Sequence, residues 1–185
     1  MIPAELTPRP LDCVALQGMA AVWPVKLPKA EEDRSWSSPQ TDFWHVHDFN
    51  PGTGGETEVL WVTYRPSEPL VRGLEVHWLT EQAVVPLGNQ PLIQVLCPTR
   101  QDGSSQPDLA QLSAWWIEPG QGLCMSPGCW HTSYAPVETV NVLMLTRRST
   151  TRDLVAQLRS SASTAPGTAH ETGFVKLDTW PKILA

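Results

Sequence analysis

No stretch of this chain approaches the roughly 18 consecutive apolar residues that a membrane-spanning helix needs. The first ten residues, Met1–Pro10, also lack the apolar run of a secretory leader. Charge is scarce: 17% of residues are charged, where about a quarter is usual. The formal net charge is −6, with no basic cluster anywhere, so nucleic acid and anionic membranes are poor partners. Cysteine is limited to Cys13, Cys97, Cys124 and Cys129, with no Cys-x-x-Cys pair. A reduced, cytosolic protein with free thiols is the expectation.

Proline and tryptophan are abundant instead. Eighteen prolines lie between short apolar runs, and nine tryptophans exceed what a core of 185 residues requires. The prolines favour short strands and turns over long helices. The tryptophans suggest a lined cavity or a subunit interface. The length suits one domain. Residues 1–10 read as a loose arm, 11–160 as a single domain, and 161–185 as a mobile linker with a C-terminal edge segment.

Strand patterns recur at short intervals: Ala21–Trp23, Phe43–Phe49, Glu58–Tyr64, Leu74–Trp78, Gln82–Leu87, Pro91–Cys97, Ser113–Ile117 and Val140–Leu145. Pro24 and Pro28 break the first, and Lys26–Thr41 reads as a surface loop. Leu11–Gln17 predicts a short helix stopped at Gly18. Leu109–Leu112 predicts one helical turn. Thr150–Asp153 predicts a helix N-cap, with Leu154, Val155 and Leu158 on its apolar face. Ser160–Thr168 reads as a mobile excursion, and Phe174–Leu177 as a last edge strand. So many short strands imply an all-β sandwich, jelly roll or barrel.

The densest turn chemistry lies in Ile117–His131. Pro119-Gly120 and Pro127-Gly128 each set φ near −65° and then permit positive φ. Between them is a short strand, and after them Trp130 and His131 open another.

Four segments in order resemble the ureidoglycolate lyase family: His77–Gly88, Pro91–Pro98, Pro107–Trp115, and Gly120–Gly122 through Gly128–His131. Weaker echoes extend the likeness over roughly residues 9–150. The resemblance implies a cupin-like double-stranded β-helix, a jelly-roll barrel here given a short N-terminal and a C-terminal helix. It also implies a homodimer, and a lyase of purine (allantoin) catabolism that cleaves ureidoglycolate to glyoxylate and urea. The chain departs from the family pattern at Gln90, at Ser126-Pro127 and at Thr146, where basic or acidic partners are usual. A different small polar acid or ureido compound on the same scaffold therefore stays open.

The resemblance and the residue chemistry together nominate a site. His131 and His77 would transfer protons or ligate a metal, and Glu81 would act as general acid or base if burial raised its pKa. Arg65, aligned with a family arginine, would clamp a carboxylate. Gln82 would orient a carbonyl, and Trp130 would contact substrate. Glu75 shares a face with His77 by strand alternation. His45 and His47, two apart on one strand, could share a divalent metal; no cofactor is assigned otherwise. Cys124 and Cys129 read as small hydrophobes. A metal-dependent cupin (dioxygenase or isomerase) and a non-catalytic small-molecule binder are the alternatives.

Overall fold

The computed structural model describes residues 2–23, 34–159 and 170–185. The breaks at Pro24 and Pro28, residues 26–33 of the expected Lys26–Thr41 loop and the Ser160–Thr168 excursion lie outside the described residues. The described half of that loop is corrected, since Ser35–Ser37 forms a short strand paired with Asp42–Trp44. Five short strands come first: β1 (Glu5–Leu6), β2 (Arg9–Pro10), β3 (Ala20–Trp23), β4 (Ser35–Ser37) and β5 (Asp42–Trp44). The body follows as β6 (Thr57–Tyr64), β7 (Gly73–His77), β8 (Gln82–Leu87), β9 (Leu92–Cys97), β10 (Ser113–Ile117), β11 (Gly122–Met125), β12 (Trp130–Tyr134) and β13 (Val140–Arg147). A helix, α1 (Arg148–Arg159), and strands β14 (Thr172–Lys176) and β15 (Lys182–Ile183) end the chain. The helical turn expected near Leu109 is a 3₁₀ turn over Leu109–Gln111. No described helix is long and apolar enough to cross a membrane.

Two sheets carry the fold, ordered β14-β7-β12-β9-β10-β2 and β3-β11-β8-β13-β6. The eight strands β6–β13 divide between them as β7-β12-β9-β10 and β6-β13-β8-β11. Four antiparallel pairs thus wind back and forth between the sheets, as in a double-stranded β-helix, the jelly-roll order. The expected barrel is corrected on one point: these are two facing sheets, and the described strands do not close into a ring.

The Pro-Gly pairs do what their chemistry predicts. Gln121 N–H reaches Glu118 O at 2.9 Å and Cys129 N–H reaches Ser126 O at 3.1 Å. Gly120 and Gly128 take φ of 84° and 81°, the positive φ that a type II turn needs at its third position. Gly128 N–H also donates to His77 O at 2.8 Å, so the second turn ties β12 to the end of β7.

The space between the sheets is filled by Leu92, Leu96, Trp115, Ile117, Leu123, Val142 and their neighbours. A second layer lies on the outer face of the six-stranded sheet. There Val76, Ile93, Val95 and Trp130 are covered by Leu6, Leu112, Leu177 and Ile183. With both faces covered, every residue of β9 is buried, which is why it reads as a continuous apolar run. Each large side chain so buried contributes roughly 1.5–3 kcal/mol.

This covering layer corrects the expected loose arm. Leu6 is buried, β1 runs parallel to β15, and β2 adds to the edge of β10, where Arg9 stacks 4.4 Å above the Trp115 ring. The expected N-terminal helix is also corrected: Leu11–Gln17 forms a series of turns. Asp12 caps the N–H groups of Val14 and Ala15 at 2.8 and 3.2 Å, and the chain swings away at Gly18 with φ 82°. A segment this short gains too few bonds to offset helix nucleation; the buried Leu16 holds it in place.

At the other end α1 begins at Arg148. Thr150 therefore lies inside the first turn and is not the N-cap. Of the expected apolar face, Leu158 is 67% exposed. The anticipated final strand is β14, on the edge beside β7.

Candidate active site

Strand alternation builds the site. On β7, Glu75 and His77 point to the same face, and on β12 His131 and Ser133 do. The register sets His131 directly opposite Glu75. His131 Nε2 then lies 3.2 Å from Glu75 Oε1, close enough for an ion pair but without the alignment of a hydrogen bond. The other ring nitrogen, Nδ1, is 3.0 Å from Cys129 O. A carbonyl only accepts, so Nδ1 carries the proton and Nε2 is left to face the carboxylate.

His77 lies one step deeper, its ring centroid 5.1 Å from that of His131. Gln82 Nε2 is 3.0 Å from His77 Nε2. That leaves Nδ1 of His77 and Nε2 of His131 as buried nitrogens without a hydrogen-bond partner among the described residues. Orphans of this kind are uncommon in a folded interior. Burial pushes the His77 imidazole down to about 4; His131 adds in the same direction and Glu75 opposes. Burial on its own would raise the Glu75 carboxyl. The adjacent His131 and the more distant His77 outweigh it and hold Glu75 below the ordinary carboxylate value.

Glu75 and His131 lie on the wall of a cleft of about 730 Å³. Its rim and walls add hydroxyls from Tyr64 and Ser133, cations from Arg72 and Lys176, and rings from Phe174 and Trp180. Burial raises the Tyr64 phenol, and nearby Glu75 adds to that, so the hydroxyl stays protonated and able to donate. Ser133 is fixed by donating to Gln94 Oε1 at 2.8 Å.

A second cluster, His47–Glu81–Cys124, collects where the segment after β5 crosses β8 and β11. Its ligand atoms lie within 4.8 Å of one another, as do those of Glu75, His77 and His131. Both groups could hold a cation. In the second, Glu81 Oε2 already accepts from Asn50 N–H at 2.7 Å and stands 3.0 Å from His47 Nε2 and 3.7 Å from Cys124 Sγ. These donors are satisfied and clamp the crossing segment. The Cys124 thiol is pushed up to about 12, first by burial and then by Glu81, so it is no thiolate nucleophile.

The expected site residues therefore separate. His131 and His77 come together, and Glu75 supplies the acid. Glu81, expected as the acid or base, is turned away into the clamp. Gln82 holds His77 and does not reach the cleft wall. Arg65, the residue just after β6, is exposed and lines none of the described pockets. Trp130, next to His131, alternates to the opposite face; its ring packs edge-on to Trp78 at 5.7 Å and donates to Thr99 Oγ1 at 3.1 Å. His45 and His47 do not share a metal face, since β5 ends at Trp44 and the two rings go to different acids, Asp48 at 3.3 Å and Glu81 at 3.0 Å. At Thr146 the hydroxyl is buried without a hydrogen-bond partner among the described residues, as is Glu58 Oε1 on the strand paired with it.

Glu75 was signalled by its alternation with His77; Ser133 was missed, although the same kind of signal, alternation with His131, was present in the sequence. Lys176, Phe174 and Trp180 had no such signal, because nothing in their segment tells which strand β14 will join.

A jelly-roll of two sheets with a polar cluster on the inner face beside an open cleft defines a cupin-like protein. The model of the family described as Ureidoglycolate lyase matches residues 48–164, and the chain belongs to that family, a family of lyases. The ureidoglycolate lyase of Chelativorans sp. (strain BNC1) is 28% identical over 115 residues, a span of 59% of this chain and 67% of that protein. Among solved structures, RmlC from Streptococcus suis in complex with dTDP-D-xylose is similar at 12% identity and a TM-score of 0.44, over 78% of this chain and 71% of that one. Streptomyces albus HEPD, with 2-hydroxyethylphosphonate and Fe(II) bound, is similar at 25% identity and a TM-score of 0.36; the shared part is 60% of this chain and 22% of that one.

Proposed function

We propose that this site cleaves the C–N bond of ureidoglycolate, or of a closely related ureido acid, releasing glyoxylate and urea. The observation that carries the reading is the Glu75–His131 pair, 3.2 Å apart on the cleft wall, in a chain of the ureidoglycolate lyase family. The reaction moves one proton from the carbinol hydroxyl to the leaving nitrogen. As the hydroxyl oxygen gives up its proton, its electrons form the aldehyde C=O, and the C–N electrons leave with the urea nitrogen, which must be protonated. A carboxylate and an imidazole that can hold one proton between them can take it from the hydroxyl and deliver it to nitrogen. Nδ1–H, bonded to the Cys129 carbonyl, keeps the His131 ring oriented so that Nε2 does this work. Tyr64 offers a hydroxyl donor to the polar groups of the substrate, and Ser133, whose proton goes to Gln94, offers its oxygen as an acceptor.

The same residues fit a divalent metal. Glu75, His77 and His131 each offer a ligand atom within 4.8 Å of the others, and each imidazole keeps one buried nitrogen without a hydrogen-bond partner among the described residues. These are the donor types of a two-His, one-carboxylate site. His77 would bind through Nδ1, freed when the Gln82 amide turns so that its carbonyl accepts from Nε2–H. Such an ion, when bound, would polarise a substrate oxygen.

The test is turnover. Purified protein should form glyoxylate from ureidoglycolate, and Glu75→Gln, which keeps shape and removes the proton-accepting charge, should lower kcat by about 10²–10⁴-fold. A kcat within threefold of the unmutated protein would sink the assignment.

A further inference from the structure

We infer that Lys176, on the C-terminal strand β14, is the residue that binds the carboxylate of the substrate, and that β14 is the specificity wall of the cleft. The inference rests on the lyase reading for the identity of the substrate; what the cleft itself supplies is a cation free to meet an anionic group. Two cations line the cleft, Arg72 and Lys176. Arg72 is committed: it is paired with Glu68, and its guanidinium lies 4.3 Å over the Trp180 ring. Lys176 makes no ion pair among the described residues.

The register aims it. Phe174 pairs with Glu75 and Lys176 pairs with Gly73, so both side chains lie on the face that carries Glu75 and His131. Gly73 lets β14 come close at this point: a Cβ there would lie 2.6 Å from Val175 O, so any side chain at residue 73 would push β14 and Lys176 away from β7. Glu75 repels an incoming anion, and the net charge of −6 gives no general attraction. A carboxylate must therefore be held by a local cation and kept to the side away from Glu75.

Strand β14 is also fastened for the purpose. On α1, Asp153 Oδ2 accepts from Thr172 N–H at 3.0 Å and Thr172 Oγ1–H at 2.8 Å, and Oδ1 stands 2.8 Å from His170 Nδ1. Glu171 Oε2 accepts from the hydroxyls of Ser149 and Thr150 at 2.9 and 2.7 Å. Both carboxylates latch the start of β14 to the first half of the helix. Lys176 lies beyond residues 48–164, so the family match does not carry this cation with it.

The experiment is calorimetric titration of the full chain with glyoxylate, oxamate and urea, for the unmutated protein, Lys176→Met and Lys176→Arg. Both carboxylates should bind, Lys176→Met should weaken them about tenfold, Lys176→Arg should restore most of the affinity, and urea should be unaffected. In turnover of ureidoglycolate, Lys176→Met should raise KM by about the same factor with kcat within threefold. Equal carboxylate binding by Lys176→Met, or no carboxylate binding by the unmutated protein, overturns the inference. Lysine-dependent carboxylate binding by a protein that does not cleave ureidoglycolate would uphold it and overturn the lyase reading instead.

Discussion

Replacing Asp153 with Ala should detach β14 while leaving the sandwich folded. The carboxylate sits between α1 and β14 with its side chain 19% exposed. It accepts from the Thr172 amide, the Thr172 hydroxyl and Gln157 Nε2 at 3.0, 2.8 and 2.8 Å, and stands 2.8 Å from His170 Nδ1. A hydrogen bond to a charged group is worth about 1.5–3 kcal/mol. These share one carboxylate and do not add, so the loss expected for the whole latch is about 2–3 kcal/mol. Little of it should reach the core, because β14 is an edge strand whose one sheet neighbour is β7. Hydrogen exchange reads this directly. Amides of residues 172–176 should lose about 30- to 150-fold of protection, while those of β9 keep theirs.

Acid should act like the mutation. Burial raises the Asp153 carboxyl more than any single partner lowers it, but His170, Thr172 and Gln157 together outweigh burial and hold it below its ordinary value. A carboxyl depressed in the folded state stabilises fully above its unfolded value of about 3.9 and loses that contribution as pH falls through the folded one. The Thr172 amide protection contributed by Asp153 should be lost as pH falls below about 4. Unchanged protection of β14 in Asp153→Ala would refute the latch and remove the support for a fixed specificity wall.

Arg65→Ala should leave KM for ureidoglycolate within about twofold and thermal stability within about 0.5 kcal/mol, since the side chain is exposed and off the cleft; a tenfold rise in KM would return Arg65 to the site. Stripping metal with a chelator and re-adding single divalent ions separates the two forms of the mechanism. If Glu75, His77 and His131 hold an ion, elemental analysis should find about one per chain, lost in His77→Ala and kept in His47→Ala. Retention in the first and loss in the second would move the metal to the Glu81 cluster.

Much of the architecture is legible in the residue pattern alone. Strand alternation and Pro-Gly turns are local physics, so β6, β8, β9, β10 and β12 fall where that pattern puts them. The Phe43–Phe49 pattern fails part-way, because β5 ends at Trp44 and the remaining residues are drawn to Asp48 and Glu81. The Leu11–Gln17 pattern fails because a helix of only about two turns yields to the packing of Leu16.

By itself, the sequence determined that His131 would stand just after a tight turn at the head of a strand, and that Glu75 and His77 would share one face. Only the tertiary structure decided that β7 and β12 are neighbours, which brings Glu75 to His131, hands His77 to Gln82 and leaves Glu81 to a different cluster. It also decided that Trp130 faces the covered outer layer and that a strand from beyond the family-matched region closes the cleft with Lys176. The reason is physical. A period of two states which side chains travel together, but not which strand lies alongside or which face is covered. Those are set by long-range pairing, where each strand's partners lie far off in the chain.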